Sequence, residues 1–272
     1  MLALILFGSC KKKFESVTEG EFTITAIPEE KPNIFHKTFC KYVNVYGVEI
    51  YASKKVNNGK VFHVANVLAQ YIDNDEDGIP DNQAVLDKLI ANQAFMCLWE
   101  KEKESGKNKF FRNIPDGMNG QDLYGEEINI YSTVSEFDAT LEEVLHLVTH
   151  VGYSQVYPSA FGEYAGTDIS NAMDIARGGH FTSIPSSYPS NAWYSYDDET
   201  CEYDCMVTEY IYWALTSMLG AQDFSGRYDQ IKQEWKLNTR ELMQSDDPAA
   251  FALFTDPQYN WPTVIPNGAY MQ

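Results

Sequence analysis

With 272 residues, 44% of them hydrophobic and 14% aromatic, the chain can bury a large core, and its composition is not that of a disordered segment. Its 39 acidic residues outnumber 20 basic ones and give a net charge of -19. That balance excludes nucleic acid as a partner, because phosphate binding needs positive surface, and it suits an extracellular protein or one that uses cations.

Residues 1–10, MLALILFGSC, are a short apolar run ending in small residues and Cys10. The run is too short to cross a bilayer. It resembles the end of a bacterial lipoprotein signal, although Phe7 stands where Leu is usual and no basic segment precedes it. The resemblance implies an exported chain, lipid-anchored to the cell envelope through Cys10 or secreted. The residues from there to 21 read as a tether, which leaves 22–272 as a single globular domain.

Residues 22–27 alternate and stop at Pro28, as a strand does. Residues 41–52 are strand-like, with Gly47 as a turn or bulge. Val61, Val64, Ala65 and Leu68 give 58–71 a helical period, and 82–93 form a second helix after an acidic loop. Residues 95–99 read as a buried strand, 100–109 as a loop and 127–131 as an alternating strand. Asp138 caps a helix over 139–151 that Gly152 stops. Residues 153–205, rich in Gly, Pro, Ser and Tyr, read as a long irregular region of the kind that often carries function. Helices at 206–219 and 225–244 precede an extended tail holding Pro257, Pro262 and Pro266. The order of elements gives one α+β domain, a small mixed sheet followed by a mostly helical half. Besides Cys10, the cysteines are Cys40, Cys97, Cys201 and Cys205, enough for two disulfides in an oxidising compartment. Cys201 and Cys205 are close enough to pair locally.

The acidic loop is Asp73-Asn74-Asp75-Glu76-Asp77-Gly78-Ile79-Pro80-Asp81. Calcium takes six to eight oxygen ligands, and closely spaced carboxylates supply them. Asp73, Asp75 and Asp77 alternate, Gly78 permits a sharp turn, Ile79 offers its carbonyl, and Asp81 follows. The stretch resembles EF-hand and thrombospondin type-3 calcium loops, and the flanking helices resemble the EF-hand arrangement. It departs from an EF-hand where Ala84 replaces the bidentate Glu and Pro80 replaces an aliphatic residue. These departures imply a structural brace rather than a tight sensor, or a contribution from Asp87. The competing reading is a solvated acidic turn.

The helix over 139–151 contains Glu142, Glu143, His146 and His150, which share one face at about 100° per residue. Two His at this spacing can hold zinc. Zinc peptidases of the zincin class use it with a Glu beside the first His, but here that neighbour is Leu147. Glu143 or Glu142 then has to act as the base. Glu209 is the only charged residue between Met206 and Gln222, in a helix apolar nearly all round, so it needs a cation or hydrogen-bond donors. Zinc on His146, His150 and Glu209 satisfies it; so does an ion pair with Arg177. Glu163 and His180 are alternative third ligands. Three plainer arrangements compete: a solvated Glu/His face, a structural Glu209–Arg177 pair, and a closed zinc site made of His146, His150, Cys201 and Cys205.

From Glu142 through Leu147 (EEVLHL) to the stretch TEYIYWAL at 208–215, the chain resembles an uncharacterised family of secreted bacterial proteins, a likeness that carries no mechanism. The zincin-like character rests on element order and His spacing. Two functions follow as expectations. One is an exported, calcium-binding, zinc-dependent hydrolase of peptidase type. The other is a non-catalytic, calcium-stabilised surface protein using the Tyr- and Trp-rich region 188–213 as its contact face.

Overall fold

The computed structural model describes residues 15–131 and 136–271. The signal-like segment, Cys10 and the first part of the tether lie outside the described residues.

The fold is α+β. A hairpin of β1 (Val17–Glu19) and β2 (Phe22–Ile24) leads to a short helix, α1 (Asn33–Thr38). A second hairpin joins β3 (Lys41–Val45) to β4 (Val48–Ala52). Its turn needs positive φ at Tyr46 and Gly47, 52° and 96°, which glycine supplies without strain at the second position. The chain crosses through α2 (Asn58–Ile72) and α3 (Gln83–Ala91) to β5 (Ala94–Trp99), then through α4 (Lys107–Phe111) to β6 (Asn119–Tyr124). The sheet order is β3-β4-β5-β6, with β5 parallel to both neighbours. The mostly helical half holds α5 (Ala139–Leu147), a π-helical turn (Val148–Tyr153), α6 (Ser154–Val156), α7 (Pro158–Phe161), α8 (Asp168–Arg177), α9 (Tyr203–Met218), α10 (Arg227–Ile231), α11 (Arg240–Asp246) and α12 (Pro248–Thr255).

The sequence of β5, AFMCLW, is apolar throughout because both faces of the strand are covered. Phe95, Cys97 and Trp99 point into an aromatic cluster with Phe35, Phe39, Tyr51 and Phe110. Met96 and Leu98 join the main core with α2 and α5. Helix α2 is buried from Val61 to Ile72, as expected for a helix packed on several sides.

Several sequence expectations are corrected. Residues 127–131 are not a strand. The sheet edge is formed earlier by β6, residues 125–127 make a 3-10 turn, and Tyr131 is exposed; the alternation around Ile128 has no sheet neighbour behind it. The helix after Asp138 does not stop at Gly152 but continues through the π turn into α6. Gly152 is there for close approach, since a Cβ would lie 2.8 Å from Val85 Cγ1. Residues 225–244 are two short helices, separated where Trp235 is fully buried and bridges to Tyr194. Residues 153–205 contain α6, α7 and α8, and the 100–109 loop gives way to α4 at Lys107. Cys201 and Cys205 form a disulfide, whereas Cys97 is a buried free thiol.

Gly120 marks the tightest point of the sheet edge: a Cβ there would sit 2.3 Å from Phe95 Cζ. Gly120→Ala is expected to cost about 1–3 kcal/mol in urea unfolding, as overpacking does. An unchanged midpoint would show that the aromatic layer yields freely.

Candidate metal centre

Helix α5 is placed by its apolar side and its first turn. Leu141, Val144, Leu145 and Val148 are buried against the sheet and α2. Asp138 caps the helix by accepting from Thr140 N at 3.1 Å, and its second oxygen meets His63 Nε2 at 2.7 Å in a buried pair. The opposite side of α5 faces α9.

Across that contact, ligand atoms of Glu142, His146 and Glu209 all lie within 4.8 Å of one another. His146 is 8% exposed. Its Nε2 is 3.5 Å from Glu209 Oε2 and its Nδ1 is 3.6 Å from Glu143 Oε2. Nε2 is buried and makes no hydrogen bond among the described residues. Glu143 is held from the sheet edge, where Gln121 Nε2 donates to its Oε2 at 2.5 Å. Tyr212 stacks edge-on at 6.0 Å from the His146 ring.

Charge is concentrated here. Burial, then the neighbouring Glu209 charge, pushes Glu142 up to about 8. Burial also pushes Glu234 up to about 7, although Trp213 Nε1 donates to it at 2.9 Å. For His146, burial acts downward, but the Glu209 charge and hydrogen bonding to Glu143 outweigh it and hold the imidazole well above its usual value. Tyr196 is raised by burial and by the Glu209 and Glu234 charges.

His150 does not join the trio. The winding changes from α to π at Val148, between the two histidines, so the one-turn stacking of a regular helix is not kept. His150 lies in the same cleft but its Nδ1 pairs with Glu163, whose other oxygen accepts from Thr208 Oγ1 at 2.8 Å. Glu163 is thereby engaged as a partner of His150. His180 is elsewhere, 2.6 Å from Asp174 Oδ2 and against the Tyr203 ring. Arg177 is fully buried and makes no ion pair with Glu209; its Nη2 donates to Phe181 O at 2.8 Å and it lies over the Phe181 and Tyr188 rings. The Cys201–Cys205 disulfide removes the closed four-ligand arrangement with two cysteines. A cleft of about 380 Å³ opens onto Glu143, His146, His150, Glu163 and Glu209. Half of the Tyr and Trp rings in the region expected as a contact face turn inward: Tyr194, Tyr210, Tyr212 and Trp213 are buried in the core, whereas Tyr188, Trp193, Tyr196 and Tyr203 are partly exposed.

The acidic loop forms a second cluster, in which carboxylate oxygens of Asp73, Asp75 and Asp77 lie within 4.8 Å. Asp73 is fully buried and accepts from Tyr46 Oη and Gly78 N, both at 2.9 Å, and from Tyr270 Oη. Burial acts to raise Asp73, but the Tyr270 and Tyr46 hydroxyls outweigh it and hold the carboxyl below its usual value. Asp81 stands outside the trio and accepts from Asn74 N at 2.6 Å. Ile79 is exposed. The tail fastens the outside of the loop: Thr263 N and Val264 N donate to Asn74 Oδ1 at 2.9 Å, and Met271 N donates to Glu76 Oε2 at 2.6 Å.

Sequence reasoning missed Gln121 and Glu234, whereas Tyr196, which lines the cleft, falls in the region 188–213 expected as a contact face. Gln121 sits on the strand that was expected later in the chain. Glu234 comes from the break after α10, and no periodic signal marks it. No family model, curated protein or solved structure matches the chain.

The raised groups fix a pH dependence. Glu142 and Glu234 bind protons in the folded state that they lose unfolded, and His146 is stabilised as a cation. All three therefore favour the fold at lower pH, and that contribution is lost as pH rises through their folded values. In chelator, the melting temperature should fall between about pH 5 and pH 8, and Glu234→Gln should flatten the fall. A variant profile parallel to the wild type would contradict this.

Proposed function

We propose that the chain is an exported zinc-dependent hydrolase of peptidase type, braced by calcium at residues 73–81. The observation that carries the reading is the buried, unbonded Nε2 of His146 facing the Glu209 carboxylate, with Glu142 in ligand reach. A buried imidazole nitrogen among carboxylates wants a cation or a proton. One nitrogen and two carboxylate ligands make a donor set that suits zinc and leave a position open to the cleft. In this reading His146, Glu209 and Glu142 hold the ion, so Glu142 takes the place first given to His150. When bound, zinc supplies Lewis acidity, which lowers the pKa of water toward neutrality and polarises a carbonyl.

The chain's own groups supply the proton transfers. Glu143, oriented by Gln121, takes a proton from the attacking water. The water oxygen adds to the peptide carbonyl carbon, the C–N bond breaks, and Glu143 returns the proton to the departing amine. The products are a carboxylic acid and an amine. His150, held by Glu163 at the cleft wall, serves to position substrate rather than metal.

Calcium at Asp73, Asp75 and Asp77, with the Ile79 carbonyl and Asp81, would tie α2, α3 and the tail together. The non-catalytic surface-protein reading is weakened because Tyr194, Tyr210, Tyr212 and Trp213, half of its aromatic contact face, are core.

Metal analysis of protein purified under zinc-replete conditions should give close to one zinc per chain, lost in His146→Ala. Glu143→Gln should keep the zinc and lower cleavage of a quenched peptide library by about 100-fold or more. Absence of zinc, or full cleavage by Glu143→Gln, would overturn the hydrolase reading. Separately, calcium should raise the melting temperature by several degrees over chelator, as ligand linkage requires. Asp75→Asn with Asp77→Asn should abolish that response. A response that survives in the double variant would place calcium elsewhere.

A further inference from the structure

The carboxylates at the mouth of the cleft bear on what the site accepts. The wall that holds His146 also carries Asp198 and Asp204, and no Lys or Arg lines it. Glu163 is offset by His150 and Glu209 by His146, but no Lys or Arg forms an ion pair with Asp198 or Asp204 among the described residues. Both are exposed, and each has one oxygen already positioned by its neighbours. Asp198 Oδ1 accepts from Thr200 N at 2.9 Å and Thr200 Oγ1 at 2.7 Å, which holds the carboxyl below its usual value. Asp204 Oδ1 accepts from Cys205 N at 2.9 Å. Their second oxygens accept no hydrogen bond among the described residues.

The two residues are not on a loose strand of surface. The Cys201–Cys205 disulfide closes the turn that holds Asp204 at a Cα–Cα distance of 5.4 Å and anchors it to the first turn of α9, the helix that carries Glu209; Asp198 is tied to this turn by Cys201 N, which donates to its carbonyl at 3.0 Å. A rim of negative charge therefore stands in the same cleft as the buried His146 Nε2, which makes no hydrogen bond among the described residues and marks the cleft as a place that takes a ligand. Fixed carboxylates that need not reorganise discriminate strongly between charges and repel anions. A cleft of about 380 Å³ is within the range of small-ligand sites and holds a few residues of peptide.

We propose that Asp198 and Asp204 form a cation-selective subsite, and that the substrate is a peptide presenting a Lys or Arg side chain to it beside the scissile bond. This rests on the hydrolase reading for its position in the reaction, but the charge preference is measurable by binding alone. Phosphorylated or acidic peptides are disfavoured by the same rim.

The test uses fluorescein-labelled hexapeptides of matched sequence with Arg, Gln or Glu at one central position. Fluorescence polarisation is read at fixed ionic strength on zinc-treated and chelator-treated protein. The Arg peptide should bind at least tenfold more tightly than the Gln peptide, and the Glu peptide more weakly still. Asp198→Asn with Asp204→Asn should remove the preference while leaving zinc content and melting temperature unchanged. Asp116→Asn with Asp223→Asn, which removes two charges from exposed sites outside the cleft lining, should leave the preference intact. Equal binding of the three peptides, or loss of the preference in both double variants alike, would overturn the subsite. A preference in protein that takes up no zinc even when zinc-treated would leave the subsite standing and remove the hydrolase reading instead.

Discussion

Glu209, the one charged residue in a long apolar stretch of α9, faces the buried imidazole of His146 on α5. Neither group is stable there alone, because a lone ion taken out of water costs several kcal/mol. Together they join the sheet-bearing half of the chain to the helical half, since α5 packs on β6 and α2 on one side and on α9 on the other. Everything that can act at the site is arranged around this contact. Glu142 adds a third donor atom, an oxygen, Glu143 is turned toward the cleft by Gln121, and Glu234 lies behind with Trp213. The cluster carries more carboxylates than one imidazole can neutralise. It needs protons or a cation to offset that charge, and in the proposed reading pH and metal supply would decide between them.

The acidic loop uses a different solution. Its buried carboxylate, Asp73, is satisfied by two tyrosine hydroxyls and two backbone N–H groups. Tyr46 comes from the β3–β4 turn and Tyr270 from the end of the described chain, so one carboxylate joins three distant segments. Asp75 and Asp77 stay exposed, where an added cation can relieve their repulsion. In this arrangement the loop is a mechanical joint in its own right, and the proposed calcium would add stability to it rather than create it.

Local signals read well from the sequence and distant ones did not. Helix α2, the Gly47 turn, the Asp138 cap and the apolar β5 follow from periodicity, turn chemistry and capping, which act over a few residues. The paired histidines were visible for the same reason. Their separation was not, because α and π winding differ by hydrogen bonds that only tertiary packing selects. The strand expected at 127–131 fails because an alternating pattern says nothing about whether a neighbour is present. Glu209 stood out as a charge in an apolar helix, whereas Gln121, Glu234 and the tail bonded to Asn74 and Gln70 are contacts between residues far apart in the chain.

The central claim is that one imidazole and two carboxylates form the metal site. X-ray absorption at the zinc edge tests it directly on zinc-loaded protein. The expected spectrum shows one imidazole nitrogen with oxygen donors around the zinc and no sulfur. Two imidazoles would restore His150 to the ligand set, and a sulfur shell would place the metal on cysteine; either result would contradict the site described here.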